Sequence, residues 1–356
     1  MIVDGPRIER SITLHFQGDW GQANLHRVCG WLSQEMGDRT GPHSRFAIWN
    51  GRGGIDAVHA VGRGAVDVGL TTPAAFAAMA LDGRGPYGGE AYPHLRAIGI
   101  VPQYDRLVLA VAADSGIRSF DDLRRKRPPL RMATSPDDGV NHIGLAVQRI
   151  MALAGIPRHE LESWGGRYLE AERPPDCIAR MRSGEADAIF HEAIMAQWWQ
   201  ELADHRDLWF VPIEEGVLDS LERDLGWPRA TLPAGYFRGL EAPLETLDFS
   251  DFLVVVRADM PDDVAELLTW CLIETRDALE AQYRHIPPER SPVSWPLESQ
   301  VMARAPIPLH PAAERWYGTS GHLSGTAAAR PPGSAKRQRR AGLTDGGRSA
   351  KATVAS

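Results

Sequence analysis

Four stretches of the chain end in residues suited to hold a small molecule by hydrogen bonds. Residues 130–134 read as a short buried strand. Ser135, Asn141 and His142 follow in a loop of small polar residues, and a helical pattern then runs to Gly155. A strand that feeds a polar loop at a helix N-terminus leaves backbone N–H groups unpaired, a place to hold an acidic ligand. Asn50, Gly53 and Gly54 end a second apolar run before a helix, where open α/β sheets bind their ligands. Thr71 and Thr72 hold the equivalent position one strand further on, although a helix N-cap accounts for one of the two hydroxyls. His191 and Glu192 end a fourth run. Tyr236 sits in the loop 232–236, placed either to cover a ligand or to pack at a hinge. The plain alternative for each is a cap, a turn or a solvated surface.

This is the chemistry of recognition, with no sign of bond making. The chain has no nucleophile elbow, no Walker phosphate loop and no Cys/His pair at catalytic spacing. His191-Glu192 begins like a zinc-protease helix, yet Met195 stands where the second His is required. No catalytic residue, no metal site and no cofactor is expected. Cys29, Cys177 and Cys271 are widely separated without CxxC spacing and read as small core residues; one disulfide with a spare thiol stays open.

Composition supports a soluble two-lobed protein, with 43% hydrophobic and 24% charged residues over 356 positions. From Leu323 onward seven basic residues face one acid, a net +6, which leaves −13 on the body given −7 overall. An acidic body argues against nucleic acid as a partner. The tail 323–356 is rich in Ala, Gly, Ser, Pro and Arg and is expected to be a disordered basic extension. No apolar run reaches the length of a membrane span, and the first residues show no apolar core or cleavage site of a secretory signal.

The elements that must position these residues alternate. Ile12, Leu14 and Phe16 give a half-buried strand, and Leu25, Val28, Cys29, Leu32 and Met36 one face of a helix. Strands are expected at 46–49, 66–70, within 95–112, at 186–190, 208–211 and 252–256. Helices are expected at 22–36, 55–62, 119–123, 177–181, around Trp198 and Trp199, at 214–226 and as one long piece over 263–281. Thr71-Thr72-Pro73 is expected to start a helix with a hydroxyl cap. Such alternation indicates α/β architecture with largely parallel sheets. Gly64-Ala-Val-Asp67 and Gly184-Glu-Ala-Asp187 share a Gly-x-x-Asp pattern before a strand, which suits two similar lobes.

In this order the pieces resemble the TAXI family of TRAP-transporter solute receptors, from about residue 12 to 321. Gly18-Asp-Trp-Gly21 follows the first strand, and Gly51-Arg-Gly-Gly54 stands where the family has Gly-Gly-Ser-x-x-Asn. Gly64-Ala-Val-Asp67-Val-Gly-Leu, Ser115-Gly-Ile-Arg-Ser-Phe-Asp-Asp-Leu123 and the stretch 183–190 match further family segments. Pro308-Leu-His-Pro-Ala-Ala-Glu-Arg-Trp-Tyr317 resembles the ending of the family and is the most specific string; His310 within it reads as structural.

The resemblance implies a two-lobed type II periplasmic-binding-protein fold, each lobe a mostly parallel sheet flanked by helices, with the ligand cleft between the lobes. Lobe one is expected to comprise 1–112 plus 233–322 and lobe two 113–232. It further implies a non-enzymatic, periplasmic solute receptor for a small carboxylate-bearing molecule of the organic-acid or amino-acid class, working with TRAP membrane permease subunits. The missing signal leaves a cytoplasmic ligand sensor as the alternative, and an enzyme on the same bilobed fold as another. The family's Ser and Asn are here Gly54 and Ala57, so backbone N–H groups of Gly53 and Gly54 are expected to serve in their place. Asp137 and Asp138 lie where a ligand carboxylate would otherwise sit, and if they cap the helix this half of the cleft favours an amino group or hydroxyls. Trp20, Trp49 and Trp164 lie near expected loops; most of the tryptophans read as core, with one stacking on a ligand as the alternative.

Overall fold

Apolar alternation turns into strands in two separate sheets. The computed structural model describes residues 4–21, 23–194 and 196–322; the expected basic tail and Met195 lie outside the described residues. The first sheet holds β1 (Thr13–Gln17), β2 (Arg45–Trp49), β3 (Val68–Thr71), β4 (Leu95–Val101) and, from far along the chain, β12 (Phe252–Arg257). The second holds β5 (Arg106–Ala112), β6 (Arg131–Thr134), β7 (Arg167–Glu170), β8 (Ala188–Glu192), β9 (Leu208–Val211), β10 (Arg229–Leu232) and β11 (Leu244–Asp248). Their orders are β2-β1-β3-β12-β4 and β10-β11-β5-β8-β6-β7, with β9 also on β5.

Parallel pairing is confined to two matching triplets. β1 lies between β2 and β3, and β6 between β7 and β8. The other strands join antiparallel, so the sheets are more mixed than the alternation alone suggests. Sheet membership also moves the division between lobes. Strands β5, β10 and β11 pair within the second sheet, and the chain crosses at 102–105 and 249–251 rather than at 112/113 and 232/233. The runs LRAIGIV and RLVLAVA are equally apolar, and only the turn Pro102-Gln-Tyr-Asp105 between them marks the change of sheet.

The Gly-x-x-Asp echo has a physical cause. Gly64 and Gly184 take φ of +73° and +79°, ending the preceding helices in a conformation that costs glycine least. Asp67 N–H then donates to His15 O, while its carboxylate accepts from His15 N–H, both at 2.8 Å. Asp187 does the same to Arg131, at 2.8 Å and 3.1 Å, and adds an ion pair to the Arg131 side chain. Each aspartate thereby pins the start of its strand to the central strand of its parallel triplet.

The helix Asn24–Gly37 buries the expected face of Leu25, Val28, Cys29, Leu32 and Met36. The expected long helix breaks into Asp262–Glu274 and Arg276–Ala281. At the break Thr275 Oγ1 donates to Cys271 O at 2.7 Å and accepts from Trp31 Nε1 at 3.1 Å, a side-chain bond that competes with the helical ladder. All three cysteines are free and buried. His310 caps the helix Pro311–Ser320: its Nδ1 accepts from Ala312 N–H, and its Nε2 donates to Met260 O at 3.1 Å.

One apolar core runs from the first sheet into the second. Phe76 stacks on Trp227 with ring centroids 4.1 Å apart and meets Phe249 edge-on at 5.3 Å. Removing either clamp tests the symmetry: Asp67→Ala and Asp187→Ala should each lower unfolding free energy by roughly 1–3 kcal/mol, the cost of an orphaned buried donor. Denaturant titration of the two variants checks it, and a loss from only one would show that the clamps are not equivalent.

Candidate functional site

The carboxyl ends of both parallel triplets face each other across a cavity of about 310 Å³. From the first sheet its wall takes Asp19, Trp20 and Leu25 after β1, Arg52, Gly53 and Gly54 after β2, and Thr72 after β3. From the second sheet come Asn141, His142 and Ile143 after β6, Arg173, Pro174 and Pro175 after β7, and Glu192 and Ile194 after β8. Trp198, with Phe249 and Phe252 at the second crossing, completes an apolar back wall.

Of the residues singled out in the sequence, Gly53, Gly54, Thr72, Asn141, His142 and Glu192 are brought to this cavity. Asn50 is exposed and lies against Gly21, outside the lining. Thr71 stays in β3, fully buried, and its hydroxyl donates to Gly54 O at 3.0 Å. Neither threonine caps a helix: Pro73 precedes the turn Ala74–Ala77, and no side chain caps it. Ser135 and His191 form a buried pair, Oγ to Nε2 at 3.1 Å, and neither lines the cavity. Tyr236 donates to Glu289 O at 2.8 Å under the Arg290 guanidinium, so it packs between segments and does not cover the cleft. Of the tryptophans, Trp20 lines the cavity, whereas Trp49 donates to His15 Nδ1 and Trp164 to Glu160.

The helix N-termini differ most from expectation. The N–H of Gly54 donates to Asp56 Oδ1 at 3.1 Å, and that of Ile55 to Val140 O at 3.1 Å. Asp138 accepts from the N–H groups of Val140 and Asn141, and Asn141 Oδ1 accepts from Ile143 N–H at 2.7 Å. The N–H groups of Gly54 and Ile143 are therefore occupied by the chain itself. Asp138 caps the approach to the helix His142–Leu153 and Asn141 caps the helix; Asp137 and Asp138 are exposed and outside the cavity lining.

The lobes touch beside the cavity. His142 Nδ1 lies 2.9 Å from Thr72 O. A carbonyl only accepts, so the proton sits on Nδ1, and Nε2 is a bare acceptor without a partner among the described residues. Burial lowers the His142 pKa to about 4, against a small opposing effect of the Thr72 bond. Arg52 bonds Glu172 of the other lobe at 2.5 Å. A Cβ on Gly54 would come within 2.9 Å of Val140 O, so only glycine allows this approach.

Two carboxyl groups line the cavity, one from each lobe. Asp19 is buried and accepts from Leu25 and His26 N–H at 3.0 and 3.1 Å; burial nevertheless raises its pKa. Glu192, only 8% exposed, is pushed up to about 8 by burial and then by the charge of Asp19. Behind it the fully buried Asp105 is raised as well, by burial and then by Glu192. The sequence alone does not single out Asp19, Arg52 and Arg173. The turn Gly18-Asp-Trp-Gly21 is the counterpart in the first triplet of the loop after β6, which is the signal that would have found it.

Among the described residues no helix is long and apolar enough to cross a membrane, and no group of three His, Cys, Asp or Glu side chains could hold a metal. Residues 32–321 match the sequence model of the NMT1-like family. No curated protein matches the chain. Among solved structures, periplasmic binding protein BugD is 12% identical with a TM-score of 0.48, covering 88% of this chain and 96% of its own. The alkanesulfonate-binding protein SsuA from Xanthomonas axonopodis pv. citri, bound to MOPS, is 15% identical with a TM-score of 0.42, covering 85% and 98%. A TctC solute binding protein from Polaromonas is 13% identical with a TM-score of 0.43, covering 76% and 88%.

The site yields a pH prediction. Glu192 has a folded pKa above its unfolded value near 4.5, so it costs stability progressively as pH rises from about 4.5 to about 8. Glu192→Gln should therefore stabilise the ligand-free protein at pH 8 by roughly 1–4 kcal/mol and by little at pH 4.5. Denaturation at the two pH values checks it; equal effects at both would mean that Glu192 ionises freely.

Proposed function

The chain belongs to the NMT1-like family, and on that premise we propose that it is the solute-binding receptor of a TRAP-type transporter, capturing a small carboxylate-bearing molecule by lobe closure. The supporting observation is the cavity itself. Loops from the carboxyl ends of both parallel triplets line it, so a ligand there touches both lobes at once. A ligand that contacts both lobes favours the closed arrangement by the difference between its affinities for closed and open forms.

The lining suits recognition. Phe249, Phe252, Ile194, Trp198 and Trp20 offer apolar surface to a hydrocarbon body, and Arg27, Arg52 and Arg173 offer guanidinium groups to a carboxylate. Of these, Arg173 is exposed in the loop after β7, and Arg52 already bridges the lobes through Glu172. In this reading no bond is made or broken. The closed receptor delivers its ligand to membrane permease subunits from the periplasmic side.

Thermal denaturation of the full chain against organic acids and amino acids at millimolar concentration tests the reading. A ligand at 100 times its Kd should add about 2.7 kcal/mol of stability. No stabilisation by any member of the screen would count decisively against a receptor.

A further inference from the structure

We propose that the cavity holds a protonated amine between Asp19 of one lobe and Glu192 of the other, so that the cation itself draws the lobes together. This deepens the receptor reading and rests on it: it names the group at the deep end of the ligand, opposite any carboxylate.

The first argument is one of supply. An anion deep in the cleft would need free donors, and several of the helix N-terminal N–H groups beside the cavity are already committed. Asp19 takes the N–H groups of Leu25 and His26, Asp56 that of Gly54, and Asn141 that of Ile143. The helix Pro174–Ser183 opens on two prolines, which have no N–H to give. Carboxyl groups from both lobes, Asp19 and Glu192, thus share the lining with the arginines Arg27, Arg52 and Arg173.

The second argument is the unmet demand of those acceptors. The Glu192 carboxyl is nine-tenths buried and receives no hydrogen bond among the described residues. His142, 2% exposed and in the same lining, keeps its proton on Nδ1 for Thr72 O and leaves Nε2 a bare acceptor. No lysine or arginine forms an ion pair with Asp19 or Glu192 among the described residues. Arg106, the basic residue nearest in sequence to Asp105, is committed to Asp248 at 2.9 Å. An ammonium group carries three donors and a positive charge, and so meets both carboxylates together.

Opposite lobes supply the two carboxyls. Without a cation their charges resist closure, or one must keep a proton; with a cation between them the repulsion becomes a bridge. The apolar back wall of Ile194, Trp198, Phe249 and Phe252 leaves room for a hydrocarbon or aryl body behind the amine.

Calorimetric titration of the full chain at pH 7.5 with four probes of matched body decides the matter: phenethylamine, phenylalanine, 2-phenylethanol and 3-phenylpropanoate. The two amine-bearing probes should bind at least about tenfold more tightly than the two without an amine, and Glu192→Gln should remove roughly tenfold or more of that affinity. Asp19→Asn, which keeps one of the two oxygens that accept from Leu25 and His26 N–H, should act in the same direction and serves as the second variant. Tight binding of 3-phenylpropanoate without phenethylamine would overturn the amine site and leave a carboxylate receptor standing. Unchanged amine affinity in Glu192→Gln, or no binding by any of the four, would also overturn it. The receptor reading is then judged separately by the wider acid and amino-acid screen.

Discussion

The molecule depends on how its two crossing segments hold each other. Residues 102–105 leave the first sheet and 249–251 return to it, side by side. Gln103 donates through Nε2 to Phe249 O at 2.9 Å and through its backbone to Asp251 Oδ1, while Phe249 N–H donates to Asp105 O. Two adjacent strands of backbone, bonded to one another, act as one flexible joint rather than two independent tethers. They fix which edge of each sheet faces the other, and so bring together the carboxyl ends of β1, β2 and β3 with those of β6, β7 and β8. Phe249 belongs at once to the joint, to the shared core around Phe76 and to the cavity wall.

Much of this arrangement was legible in the residues. The period of Leu14 and Phe16, the helical face from Leu25 to Met36 and the Gly-x-x-Asp echo locate the parallel triplets, and Ser119 caps its helix by accepting from Asp122 N–H as its type and spacing suggest. Strand β7 was not legible. Arg167–Glu170 has charged ends and only Tyr168 and Leu169 between them, so its periodicity is too short to register, and the loop carrying Arg173 went with it. The sheet assignment of β5 was equally hidden, since apolar runs report burial and not partners. In the site, types and positions indicated several loops that line the cavity but not which atoms are free. Asn141 and Asp138 look like ligand groups in sequence, yet spend themselves on neighbouring backbone. Glu192 looks like a surface acid, yet is buried without a partner.

That exchange of roles carries an electrostatic lesson. A carboxylate at a helix N-terminus neutralises the positive end of the helix dipole, so a helix that caps itself with aspartate no longer attracts an anion. Asp19 and Asp56 do this on the first lobe and Asp138 on the second. With the dipoles cancelled, the residual charge of the cavity is set by a few side chains: Asp19 and Glu192 in its depth and arginines in its lining. Asp105, buried behind Glu192 with one oxygen unsatisfied, lies outside the cavity lining, and burial disfavours its charged form.

Gly54 carries a consequence beyond its shape. Its missing side chain is what lets Val140 O and the His142 ring lie against the first lobe. A receptor that works by closure rests on a balance of only a few kcal/mol between open and closed forms. In population terms, a single methyl group at this position is a wedge: one kcal/mol of lost contact moves a closed fraction about fivefold, whatever the ligand. Under the proposed closure, Gly54 thus governs how much of the protein waits open, and the affinity a ligand displays is scaled by that fraction.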